Sequence, residues 1–124
     1  MLVPAEPVVR IIATPQDMNT HNIAFGGWVL GLMDQACAVT GLTLSKGAVA
    51  TAAVQNVTFE RPIFCGEVVS VYCREVVPGT SSIKIMVEVI AEQKETGRSA
   101  VAARGSFVIV AIDSNGKPRK IEPF

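Results

Sequence analysis

The sequence predicts an α+β fold, a curved antiparallel β-sheet wrapped around one long central α-helix. Three observations carry that expectation. The segment Trp28 to Leu44 is helix-compatible and longer than a usual strand, with apolar or small residues on every face and Asp34 as its only charge. Four strand-like segments follow it, joined by short turn signals that suit antiparallel pairing. The 124 residues suffice for one sizeable core without disulfides or metals, so residues 1–124 are read as a single domain.

Taken in order, Val8 to Ala13 is a short β-branched run that ends in the turn-rich Thr14-Pro15-Gln16-Asp17. A loop, Met18 to Ala24, leads to Phe25-Gly26-Gly27 and then to the helix, which Ser45-Lys46-Gly47 stops. Val49 to Phe59 is the next strand and ends before Arg61-Pro62. Glu67 to Val77 ends at Pro78-Gly79, and Ser81 to Lys94 alternates through Ile83, Ile85, Val87 and Val89 before Glu95-Thr96-Gly97. Ser99 to Ile112 closes at Asp113-Ser114-Asn115-Gly116, and Lys117 to Phe124 is a basic, proline-containing tail. A helix that is apolar all round is expected to be buried all round, and only a sheet curled about it can bury it so.

Composition narrows the function. Eleven basic residues balance eleven acidic ones, so the chain lacks the electrostatic footprint of a nucleic-acid binder or a polybasic membrane anchor. Hydrophobic residues make up 49% and charged residues 18%, below the roughly 25% charged share of typical domains. So few charges cannot cover the surface of a small domain, and part of the apolar surplus is expected between subunits. Met1 to Ala13 has no basic region ahead of its apolar residues, and Pro4 and Pro7 interrupt it, so no signal peptide is read there. No apolar run approaches the ~20 residues a bilayer requires. Cys37, Cys65 and Cys73 form no C-x-x-C pair, and with one histidine no zinc-ligand set assembles. The expectation is a soluble cytoplasmic protein with reduced thiols, no metal and no cofactor.

Asp34 is the residue of interest. A lone carboxylate on an apolar helix is unfavourable unless paired or put to use, and no Lys or Arg stands three or four residues away. Either it points to solvent or bonds a sheet hydroxyl, or it is a general base or nucleophile. Gly26-Gly27 opens the same helix. Those glycines either permit a tight turn beside the sheet, or they let a ligand reach the free N–H groups of a helix start, the chemistry of an oxyanion hole.

The stretch Asn19-Thr20-His21-Asn22-Ile23-Ala24-Phe25-Gly26-Gly27-Trp28, followed by Leu32-Met33-Asp34, resembles the hotdog-fold acyl-CoA thioesterases, in particular the small single-domain bacterial acyl-CoA hydrolases. The family pattern is N-x-H/N-G-x-x-F/H-G-G followed by a helical aspartate. The likeness continues through Thr58-Phe59-Glu60-Arg61-Pro62, Gly66-Glu67-Val68-Val69, Gly79-Thr80-Ser81-Ser82 and Asp113-Ser114-Asn115-Gly116-Lys117-Pro118, so it spans nearly the whole chain. Asn22 replaces the usual glycine, and asparagine tolerates positive φ better than most residues.

The resemblance implies a hotdog fold and hydrolysis of acyl-CoA thioesters. Asp34 would activate water or act as nucleophile. Gly26, with Gly27 beside it, would offer a backbone N–H to the thioester oxygen. Asn19 would bond the water or the thioester, and Thr51 would line the site from the other subunit. Each also has a plain structural role available: Asn19 as an Asx-turn residue, Thr51 as a strand residue, His21 as a loop-ordering residue and Cys37 as packing. Leu30, Met33 and Phe64 are candidates for the acyl pocket. Lys117, Arg119 and Lys120, with Arg61 and Lys84, are candidates for the phosphates of coenzyme A. The partners implied are acyl-CoA as substrate and further copies of the chain, a homodimer as the minimal unit and a tetramer or hexamer beyond it. The alternatives are a hydratase or dehydratase of the same fold, which would require a histidine–acid pair, and a non-catalytic acyl-CoA-binding module.

Overall fold

The computed structural model describes residues 5–122. The first four residues of the segment searched for a leader and the last two of the basic tail lie outside them. Strand β1 (Val9–Ile12) precedes helix α1 (Gly26–Ser45), and β2 (Val49–Phe59), β3 (Val68–Pro78), β4 (Ser82–Glu92) and β5 (Ser99–Ala111) follow. The five strands form one sheet in the order β1-β3-β4-β5-β2, antiparallel throughout. This is the predicted order of elements, with boundaries shifted by a residue or two. The helix begins at Gly26 rather than Trp28, which places both glycines inside its first turn.

The strands form where β-branched residues alternate with polar ones. In β4, Ile83, Ile85, Val87 and Val89 are buried, while Lys84 and Met86 are exposed between them. Helix α1 lies across the sheet and buries Val29, Leu32, Met33, Ala36, Cys37, Thr40 and Gly41, a stripe at helical spacing. Met33 belongs to this core and not to an acyl pocket; it packs at β5 opposite Gly105. A β-carbon at Gly105 would lie 2.8 Å from Val57 Cγ2 and 3.2 Å from Met33 Cε, so only glycine lets helix and sheet meet that closely.

Burial on every side of the helix, as expected from the sequence, is not what one chain provides. Val39 and Leu42 remain 49% and 47% exposed. A single sheet of this width embraces one face of a helix, and the opposite face requires a second layer. The same holds for β2, an edge strand whose Val54 and Phe59 are 48% and 54% exposed.

The C-terminal segment fastens the end of α1. Lys46 adopts the left-handed conformation at φ 58° and ends the helix. Arg119 then donates from Nη1 to Ser45 O at 3.0 Å, from Nη2 to Ser45 Oγ at 3.0 Å and Ala48 O at 3.2 Å, and from Nε to Ile112 O at 3.0 Å. Its guanidinium therefore satisfies carbonyls at the negative end of the helix and is not available to coenzyme A phosphates, one of the assignments offered from sequence. Arg119→Ala is expected to lower the unfolding free energy by about 2 kcal/mol, the scale of a charged hydrogen-bond donor. The drop of several degrees in Tm is to be read at fixed protein concentration. Arg119→Lys is expected to recover only part of it, because an ammonium cannot bridge the same set of acceptors.

Candidate active site

The loop before the helix is built around Asn19. Asn19 N–H donates to Ile23 O at 2.7 Å, and Asn22 N–H donates back to Asn19 O at 3.0 Å. Asn19 Oδ1 accepts from the N–H groups of His21 at 2.8 Å and Ile23 at 3.3 Å. Asn19 is thus an Asx-turn residue, and its side-chain amide N–H₂ is left over to donate. Asn22 sits at φ 61°, the conformation for which asparagine substitutes for glycine. The loop is pinned to the body by Ala24 N–H to Ile63 O at 2.8 Å and Phe25 N–H to Asp17 O at 3.0 Å.

This loop delivers the start of α1 to a cavity. Trp28 N–H and Val29 N–H both turn back to Phe25 O, at 3.1 and 3.2 Å, whereas Gly26 and Gly27 donate their N–H groups to no acceptor among the described residues. Two adjacent free donors at the positive end of a helix favour a developing oxyanion. Gly26 lines a cavity of about 490 Å³ together with Asn19, Val29, Phe59 and Arg61. The Phe59 ring is close enough that a β-carbon on Gly26 would lie 3.4 Å from its Cζ.

Asp34 lies on the half-open side of the helix. Its Oδ1 accepts a 2.5 Å hydrogen bond from Thr51 Oγ1 on β2, and Oδ2 has no partner among the described residues. The carboxylate therefore bonds a sheet hydroxyl and still keeps an oxygen free to take a proton. Asp34 and Thr51 line a second cavity of about 280 Å³, with Leu30 and Val54 on its apolar side. Asn19 and Gly26 thus form one group and Asp34 and Thr51 another, and within one chain the two groups face different cavities. Asp34 stands eight residues past Gly26, roughly 12 Å along the helix at ~1.5 Å per residue. Gly27, one step past Gly26, lines neither cavity.

Two other candidates recede. The His21 imidazole is exposed and pairs with no carboxylate among the described residues, so the histidine–acid pair of a hydratase is not formed. The Cys37 thiol is buried and held above the usual thiol range, first by its hydrogen bond with Cys73, then by burial and the charges at Cys73 and Asp34. It stays protonated and is no nucleophile.

Phe59 is the lining residue that sequence reasoning passed over. The Arg61-Pro62 signal marks where β2 ends, but two register shifts against β5, between Thr51 and Ala53 and between Gln55 and Thr58, set which way Phe59 points. Asn56, at φ 53° inside the strand, is the only visible trace of the second.

Comparison with known proteins agrees with this architecture. Residues 21–98 match the family model of the thioesterase superfamily. The acyl-CoA thioester hydrolase YciA of Salmonella typhimurium is 38% identical over 119 residues, covering 94% of this chain and 90% of that protein. An aspartate-to-alanine variant of HI0827, a hexameric broad-specificity acyl-coenzyme A thioesterase, superposes with a TM-score of 0.90 at 34% identity, covering 94% of this chain and 86% of its own. A hexameric hotdog-fold thioesterase of Campylobacter jejuni gives a TM-score of 0.87 at 32% identity, covering 95% of this chain and 91% of its own. One helix against five antiparallel strands, with free N–H groups at the helix start, is here the hotdog class of α+β fold. The chain belongs to the thioesterase superfamily.

Proposed function

We propose that this protein hydrolyses acyl-CoA thioesters to the free acid and coenzyme A, in the cytoplasm, as a homo-oligomer. The observation that carries the reading is the free N–H group of Gly26, at the start of α1, beside the cavity that Gly26 lines. The relatives named above as acyl-CoA thioester hydrolases support the substrate class. The thioester oxygen accepts from Gly26 N–H, and the Asn19 side-chain amide donates to the same group or to water. Asp34 takes a proton from water as that water attacks the carbonyl carbon, the C–S bond breaks, and Asp34 returns the proton to the departing thiolate. In the nucleophilic alternative Asp34 attacks the carbon itself, the C–S bond breaks as a mixed anhydride forms, and water then hydrolyses the anhydride, releasing the acid and supplying the proton of the thiol.

The separation of the two residue groups is resolved by a partner. Two α1 helices antiparallel across a twofold axis bring Asp34 of one chain toward Gly26 of the other. The exposed apolar residues Val39, Leu42 and Val54 supply surface for such contacts. Hexamers are described for the related structures, and a hexamer built from dimers fits this chain. Sedimentation at micromolar concentration is expected to show no stable 13.1 kDa monomer; finding one would overturn the oligomer.

The activity is tested by thiol release across short, medium, long and aromatic acyl-CoAs. Turnover of at least one class is expected. Tight binding of an acyl-CoA without thiol release from any would make the protein a binding module instead.

A further inference from the structure

Phe59, which covers Gly26, stands at the end of an edge strand that is loosely tied to the sheet. Beyond the second register shift of β2 only Thr58 and Phe59 still pair with β5, opposite Arg104 and Ala103. Glu60 N–H and Arg61 N–H then share one carbonyl, Ala102 O, at 2.7 and 3.3 Å. A strand end that follows surplus residues has little backbone pairing to fix its register. A further restraint is required if the Phe59 ring is to keep one position.

That restraint lies on the opposite face of the sheet. Side chains alternate along the strand, so Phe59 faces α1 while Thr58 and Glu60 face outward together. There Arg104 Nη1 donates to both Oε1 and Oε2 of Glu60, each at 2.8 Å, and Arg104 Nε donates to Glu88 Oε2 at 3.1 Å. Glu88 Oε1 in turn accepts from Arg74 Nε at 3.0 Å, and the Arg74 guanidinium lies 4.1 Å over the Tyr72 ring. A row of alternating charge therefore runs from Arg74 on β3 through Glu88 on β4 and Arg104 on β5 to Glu60, just past β2. Isolated exposed ion pairs contribute little, but a network whose guanidinium is held at two points is the exception. Among the described residues, no other side-chain hydrogen bond or ion pair joins residues 56–61 to β5. Glu60 lines the cavity at Gly26, whereas Arg104 lines only a separate groove on the outer face.

We propose that Arg104 is a positioning residue for the reaction at Gly26: through Glu60 it holds the end of β2, and with it the Phe59 ring, against the helix start. The inference rests on the acyl-CoA reading above and adds to it a control exerted from the far side of the sheet. Phe59 limits where the thioester carbonyl can sit beside Gly26 N–H. A shift of about 1 Å at a reacting group costs up to about 10²-fold in rate, so a loosened wall costs a measurable part of that. Because Arg104 does not line the cavity, its loss is expected in kcat and not in KM.

Arg104→Met keeps the length of the stem and removes both ion pairs. It is expected to lower kcat about fivefold with KM within about twofold. Arg104→Lys recovers part of the loss, because an ammonium cannot hold both carboxylates in the same geometry. The deciding comparison repeats Arg104→Met in a Phe59→Leu background. If Arg104 acts through the Phe59 ring, its loss there costs less than about twofold. Equal factors in both backgrounds overturn the proposal. So does a variant that loses thermal stability and keeps kcat, which would make the row a structural tie only. A raised KM with intact kcat would make Arg104 a substrate contact and overturns it as well. Should wild-type protein release no thiol from any acyl-CoA, the hydrolase reading fails by itself. The clamp is then judged by fluorine NMR of protein labelled with 4-fluorophenylalanine, the Phe59 signal being the one lost in Phe59→Leu. A shifted or broadened Phe59 signal in Arg104→Met upholds the clamp, and an unchanged one overturns it.

Discussion

Asp34→Asn and Asp34→Ala are each expected to lower kcat by at least about 10²-fold, the scale for losing a general base or nucleophile, while the protein stays folded. Asp34 is the only charge between Trp28 and Leu44 and is half-buried, with one oxygen bonded by Thr51 and the other free. If the pair were only a helix-to-sheet tie, its loss would appear in stability, at about 1 kcal/mol, and turnover would be preserved. Steady-state kinetics alongside thermal unfolding separates the two: intact kcat with reduced stability removes Asp34 from the chemistry. Thr51→Ala serves as the internal control. It deletes the same hydrogen bond but leaves the carboxylate, and its kcat is expected to fall by less than that of Asp34→Asn.

Activity is also expected to reappear when two dead variants are mixed. Asp34→Asn disables one half of the site, and Gly26→Val, whose side chain enters the space beside Phe59, disables the other. If each site draws Asp34 from one chain and Gly26 from its neighbour, a mixed dimer holds one doubly damaged site and one intact site. Random exchange then returns about a quarter of wild-type activity from two preparations that each have almost none, because about half of the dimers are mixed. If both groups came from one chain, every site would carry a lesion and mixing would restore nothing. Mass spectrometry confirms exchange, so silence after confirmed exchange would falsify the shared site.

Much of the fold was legible because periodicity and turn chemistry agreed. The alternation through Ile83, Ile85, Val87 and Val89 reports one buried sheet face, and the Gly/Pro signals fall at the strand ends. The uncovered side of α1 was not legible. An apolar pattern records that a face is buried in the working molecule, but not whether the same chain or another copy covers it. The candidate site was half legible. Asn19, Gly26 and Asp34 stand out through residue type and spacing, since a free N–H pair and an isolated carboxylate leave marks in sequence. Phe59 does not stand out, because its place beside Gly26 comes from contacts across strands. Phe59 reaches Gly26 only through the irregular pairing of β2. Arg119 was misjudged for the same reason: its positive charge is visible in sequence, but the carbonyls that occupy it are not.

The irregular pairing of β2 also governs how the site can change. Between Thr51 and Phe59 the strand takes eight steps, while its partner β5 takes six from Ile109 to Ala103. The two surplus residues act as spacers in a ratchet. Thr51, which bonds Asp34, is fixed on one side of them, and Phe59, which covers Gly26, on the other. Because side chains alternate along a strand, removing one spacer moves Phe59 to the opposite face, whereas removing both restores its face at a shorter reach. Insertions and deletions at β2 can therefore retune the wall at Gly26 in whole-residue jumps while the Asp34–Thr51 pairing stays in register.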